Sequence, residues 1–250
     1  RLSLVGSEMC IRDRTIGFGN ANIIPIKNYG NINFIGTGSR YLPAGNLNVY
    51  RNISLDAGIQ LQGTNATSTI SLYTSNLVFA DVTASLNNVS INLVRNNALF
   101  DAKSGTIALN NLTIGGNSQV DLINSSNLLV GANAGQTLKI NAGAKLLINN
   151  SNLSIVGVAT LNAGSSLPGQ INVNGGSIYF STSSPQNHQL LFDDNDNKLY
   201  NLGINLTAGI GDTAKILSPL FMHNTVKLAS GVLHTNNYLT LVSNSANTAR

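Results

Sequence analysis

Three carboxylates recur at even steps: Asp81, Asp101 and Asp121 stand 20 residues apart. If one structural rung closes in that interval, the three side chains share an edge on adjacent rungs. Like charges held that close repel, so the edge would raise a carboxyl pKa or take up a cation. Calcium is the fitting cation, because it accepts carboxylate and carbonyl oxygens in a flexible shell. With Lys103 and Lys139 near in sequence, the same edge is a candidate for acid–base chemistry. A plainer reading competes with both. Asp, like Asn, suits a tight turn and points to water. Asn141 and Asn162 continue the spacing, which favours the turn.

The remaining candidates carry weaker patterns. Asp193-Asp194-Asn195-Asp196-Asn197 imitates part of a calcium loop, but Lys198 stands where the loop needs Gly, and no Glu follows. It reads as a solvated turn before a strand at Leu199. His188, His223 and His234 lack metal-ligand spacing. Ser and Thr are plentiful, yet no nucleophile–base–acid set can be assembled from them. Sequons such as Asn52-Ile53-Ser54 and Asn111-Leu112-Thr113 arise by chance in so Asn-rich a chain. Asp212-Thr213-Ala214 has the form of a short O-glycosylation motif.

Such residues need a scaffold, and a recurring turn motif indicates which. An apolar residue, then Asp or Asn, then Ala, often then Gly, appears at Leu55-Asp56-Ala57-Gly58, Phe100-Asp101-Ala102, Ile140-Asn141-Ala142-Gly143 and Leu161-Asn162-Ala163-Gly164. Looser copies follow at Leu206-Thr207-Ala208-Gly209 and Leu228-Ala229-Ser230-Gly231. A period of about 20–22 residues is the mark of a solenoid. Between the turns lie short alternating stretches, such as Leu112-Thr113-Ile114, Leu138-Lys139-Ile140 and Ile171-Asn172-Val173. They place Ile, Leu and Val on one face and Asn, Thr and Lys on the other. No apolar stripe of helical period is sustained. The expected fold is all-β: a right-handed parallel β-helix of pectin-lyase-like architecture. Leu112, Ile114, Ile140, Leu147 and Ile155 should point inward, and polar residues at equivalent turns should stack into ladders.

Composition agrees with a solenoid and narrows the functions. Charged residues are 10% of the 250, and Trp is absent. Lys and Arg are scattered singly, with no basic run and no aromatic interleaving, so a nucleic-acid partner is not expected. No window is apolar enough for a transmembrane helix. The scarcity of carboxylates argues against glycan-cleaving chemistry. Few aromatics, 6%, argue against a glycan-binding row.

Organisation along the chain falls into three parts. Residues 1–14 hold the only Cys and the only Glu, and residues 4–13 resemble a translated sequencing adapter, so 1–14 are set apart as non-native. Residues 15–184 form a first β-helix module. Residues 185–250 begin a second, because 47–58 align without gaps to 220–231. The chain thus reads as a fragment whose exposed end rungs favour end-to-end self-association.

The runs Tyr29-Gly30-Asn31-Ile32-Asn33-Phe34-Ile35-Gly36-Thr37-Gly38 and Leu42-Pro43-Ala44-Gly45-Asn46-Leu47 resemble the large secreted repeat proteins of Bacteroidetes, as does Gly231 through Leu241. The resemblance implies export, often by type IX secretion, to the outer cell surface or beyond, and an adhesin-like β-helical stalk. Glycans or other cell-surface proteins would then be its partners. The rival expectation is a carbohydrate-active β-helix. Parallel β-helix polysaccharide lyases place an acidic cluster and a base on one face, which would give Asp81, Asp101 and Asp121 their role.

Overall fold

The computed structural model describes residues 15–18, 23–24, 26, 28–73, 76–131, 136–161, 169–182, 187–207 and 212–242. The 1–14 segment, the Asn162 turn, residues 183–186 of the expected module seam and the C-terminal Arg250 lie outside them.

Alternation builds the strands. In Asn127–Val130 the apolar Leu128 and Val130 are buried, while Asn127 and Leu129 are only partly covered. Asn152–Ile155 pairs with it in parallel, and Leu153 and Ile155 continue the two buried columns. Side chains of period two can line a narrow interior on one side only, so the other side of each strand stays largely polar. Among the described residues there is no helix, and the strands pair in parallel as about 8 turns of a β-helix. The interior is mostly aliphatic, with five aromatic rings, Phe34, Phe79, Phe100, Phe180 and Phe192, fully buried in it.

The solenoid has three faces. Face one is an eight-stranded sheet running from Thr15–Phe18 through Asn97–Asp101 and Gln119–Ile123 to Gln170–Asn172. Faces two and three share a 15-stranded sheet, because two long strands run round the bend between them. Ser85–Leu93 pairs through Ser85 to Asn87 with Ile59–Gly63 on face two, and through Ser90 to Leu93 with Ser68–Leu72 on face three. Thr106–Ile114 divides in the same way. A three-stranded sheet of Asn187–Leu190, Thr213–Ile216 and Val232–His234 completes face three.

Turn chemistry explains the Asn content. The corner between faces one and two holds Lys103, Ser104, Asn124, Ser125, Asn150 and Asn174 at positive φ. Asn tolerates this left-handed region better than most residues with a side chain. Asn also links rungs. Asn152 Nδ2 donates to Asn127 Oδ1 at 2.7 Å, Asn48 Nδ2 to Asn28 Oδ1 at 2.7 Å, and Asn224 Nδ2 to Asn201 Oδ1 at 2.8 Å. The expected ladders are present, but these run along the outer faces of strands rather than at the turns.

Two expectations are corrected. The rung is less regular than 20–22 residues, with strand partners from 16 residues apart at Thr15–Asn31 to 26 at Leu112–Leu138. Contacts between neighbouring rungs span 21 residues at Ser54–Asn33, 25 at Asn152–Asn127 and 26 at Thr137–Asn111. The turn motif misled because it serves two corners. Asp56 to Gly58 leads from face one to face two, whereas Asn141 to Gly143 leads from face three to face one. Leu147 does not point inward. It is half-buried on the outer side of face one, between Asp121 and Asn172, while Leu146 and Ile148 fill the core. Leu112, Ile114, Ile140 and Ile155 are buried as expected. The strands on either side of the expected module boundary pair with each other. Ser177–Thr182 pairs with Lys198–Leu206 through six residue pairs, and Ile171 bridges Phe192. The segments 47–58 and 220–231 are alike in sequence but not in place, since Gly45–Val49 lies on face three and Leu220–Ser230 on face two.

Candidate functional site

Asp81, Asp101 and Asp121 do not stack. Asp101 is in register with Val78 and Ile123, and Asp121 with Leu99 and Leu147. A 20-residue step is shorter than the rung, so each carboxylate falls earlier on face one than the one before. Asp81 lies in the turn after Leu77–Phe79, Asp101 ends the strand Asn97–Asp101, and Asp121 is midway along Gln119–Ile123. The shared edge that motivated both the calcium site and the acid–base site is not formed.

Each of the three has its own local role. Asp81 makes a turn: its Oδ1 accepts from Thr83 N at 2.8 Å and Thr83 Oγ1 at 2.5 Å. Those bonds, the side-chain one foremost, hold its carboxyl below the ordinary range. Asp101 is buried, and burial alone would raise its pKa. The side-chain and backbone donors of Lys103, the Asn124 amide and the Lys103 charge outweigh burial and lower it. Asn124 Nδ2 donates from the next rung at 2.8 Å. Asp121 accepts from Asn149 Nδ2, but burial dominates and pushes its carboxyl up. Lys139 is exposed on face three, in register with Thr113 and Thr160, and so belongs to a different sheet from Asp121.

The run 193–197 is a turn, though not a fully solvated one. Asp193 is buried and accepts from Asn195 N at 3.1 Å and from Lys145 Nζ. Burial pushes its pKa up, and the Lys145 and Asn195 donors bring it below the usual value. Asp196 accepts from Asn172 Nδ2 at 2.9 Å. The Lys145–Asp193 pair joins residues 48 apart, about two rungs, and no local pattern announces it.

His188 is the other residue that the sequence undervalued. Its side chain and that of Asp212 are wholly buried, with Nε2 3.9 Å from Oδ1. Ala159 N donates to Nδ1 at 3.4 Å, and the Phe180 ring lies 4.9 Å away. His223 and His234 are exposed. Thr213, the hydroxyl of the glycosylation-like motif, donates at 2.6 Å to Asn187 Oδ1 as a rung contact. Among the described residues no group of three His, Cys, Asp or Glu side chains is arranged to hold a metal ion.

The His188 environment makes a pH prediction. Burial lowers its pKa from 6.5, against the opposing pull of Asp212. The unfolded chain therefore binds the proton before the folded chain does. The stabilising contribution is complete above about pH 6.5 and is lost as pH falls from there toward the lowered folded value. The urea midpoint is expected to drop between about pH 7.5 and pH 5.5, and His188→Gln is expected to flatten that slope. An identical slope in the variant would remove His188 as its source.

No protein-family model matches the chain, and no curated protein and no solved structure matches it.

Proposed function

We propose that this chain is a non-catalytic β-helical segment of a secreted or surface-attached protein, an adhesin-like stalk whose outer faces serve interaction. One observation carries the reading: carboxylates with the potential for acid–base work are bound into turn and rung contacts. Asp81 is held by Thr83, Asp101 by Lys103 and Asn124, Asp121 by Asn149, and Asp193 by Lys145 and Asn195. They are dispersed in register and do not converge on a common point. General acid–base catalysis on a sugar needs two such groups aimed at one bond. The location outside the cell rests on the resemblance to secreted Bacteroidetes repeat proteins. Among the described residues, no helix is long and apolar enough to cross a membrane. The reading requires no cofactor, and calcium loses its motive once the three carboxylates do not share an edge.

Incubation of the chain with pectin-type and alginate-type polymers tests the reading directly. No unsaturated oligosaccharide is expected. Product release that Asp101→Ala abolishes would replace the stalk by a lyase. The location is tested by protease treatment of intact cells carrying the full reading frame, where a surface protein is cleaved and an internal one is spared.

A further inference from the structure

The sequence is poor in aromatics, but three of them are exposed on neighbouring strands. Tyr179, Tyr200 and Phe221 are 38%, 50% and 37% exposed. They project from Ser177–Thr182, Lys198–Leu206 and Leu220–Ser230, three adjacent strands of face two. They are offset along those strands: Tyr179 stands in register with Gly203 and Lys227, whereas Tyr200 precedes Gly203 by three residues and Phe221 pairs with Lys198, so only Tyr179 stands in the Lys227 column.

Tyr179 is seated with particular care. Tyr179, Gly203 and Lys227 form one column across the three strands. A Cβ on Gly203 would stand 2.7 Å from Tyr179 Cδ1 and 3.4 Å from Cε1, so the ring occupies the place a side chain would take. The backbone thus fixes the ring while more than a third of the residue stays in solvent. A ring packed on backbone in this way has less freedom to lose when a ligand arrives, which favours binding. Beside it is a shallow hollow of about 250 Å³, with Asn205 and Ser181 along one flank and Lys227 at the next rung. Lys227 is exposed and has no acidic partner among the described residues. The three strands contain Lys198 and Lys227 but no Asp or Glu.

We propose that this hollow on face two binds an acidic polysaccharide, with a pyranose ring against Tyr179 and a uronate carboxylate on Lys227. The chemistry of the sugar matches the surface. The C–H face of a pyranose meets the negative face of an aromatic ring, its hydroxyls meet Asn205 and Ser181, and its carboxylate meets an ammonium group. The inference rests on the non-catalytic reading and names the partner class for it.

The test is calorimetric titration of the whole chain with hexagalacturonate and with its methyl-esterified, neutral form. Binding of the acid form is expected, at least about tenfold tighter than the ester. Tyr179→Ala and Lys227→Gln are each expected to weaken it about tenfold. Tyr41→Ala, an exposed tyrosine on the upper strands of the same face, should leave it unchanged. Urea midpoints of the variants separate lost binding from lost fold. Lys227→Gln, at an exposed site, keeps the test open if Tyr179→Ala unfolds. Equal affinity for the two forms overturns the assignment of a carboxylate ligand. Absence of binding, or binding that neither variant weakens, overturns the site while leaving the stalk intact. A dimer that Tyr179→Ala dissociates and hexagalacturonate does not also overturns it, in favour of a second copy. Cleavage of the hexamer strikes instead at the non-catalytic reading.

Discussion

Phe100→Ala is expected to destabilise the chain by about 3–5 kcal/mol, the range for emptying a buried aromatic site. Phe100 is fully buried at face one, in register with Leu77 and Leu122 on the rungs to either side. Interior side chains of a solenoid touch mainly the rungs next to them, so the loss falls on two rung interfaces at once. The backbone of those rungs is tied by parallel strand pairing and cannot easily collapse into the space. Lost contacts therefore add to lost burial. Leu147→Ala supplies the contrast. Leu147 lies on the outer side of the same sheet, and its truncation should cost less than about 1 kcal/mol. The urea midpoint measures both. Equal losses would mean that the inward and outward assignment of face one is wrong. Since repeat folds can unfold in parts, agreement between circular dichroism and fluorescence must accompany any conversion to free energy.

Gly63→Ala should cost about 3 kcal/mol, the upper end of what overpacking does. Gly63 ends the strand Ile59–Gly63 at the bend from face two to face three. An added Cβ would stand 2.0 Å from the carbonyl oxygen of Asn88 and 2.9 Å from its carbonyl carbon. Both are backbone atoms of the next rung, so no rotamer change relieves the clash. Asn88 itself is at φ 57, between the two halves of Ser85–Leu93. Bending of the chain brings one rung's backbone into the space above Gly63, and only hydrogen fits there. The same approach recurs at Gly157, where a Cβ would stand 2.0 Å from Gln136 O. Gln60→Ala, an exposed change in the same strand, is the control and should remain within about 0.5 kcal/mol of the parent. A wild-type midpoint for Gly63→Ala would show that the bend does not need this close approach.

The division between what residues declare locally and what the stack decides is visible at single positions. Alternation in Leu112-Thr113-Ile114 and Leu138-Lys139-Ile140 places Leu and Ile inward, and the structure buries all four. The pleat enforces this within a few residues, whatever lies elsewhere in the chain. Asn at tight turns is equally local: Asn124, Asn150 and Asn174 adopt positive φ because their own backbones require it. Parallel stacking was legible too, since short half-apolar strands without a helical stripe leave few other ways to bury them.

The rung register was not legible, and the candidate site failed with it. A turn that reverses face one into face two makes the same demand as one that joins face three to face one, so Asp56-Ala57-Gly58 and Asn141-Ala142-Gly143 look alike. Turns also tolerate insertions, which let the rung vary from 16 to 26 residues. An error of a few residues per rung separates Asp101 from Asp121. It also hides the contacts of Lys145 with Asp193, His188 with Asp212, and Tyr179 with Gly203. By itself the sequence determined that the chain would form strands, which residues would face inward in most of them, and where it would turn. Only the tertiary structure decided which rung lies against which, because register depends on the summed length of every turn between two strands, and no short stretch of residues contains that sum.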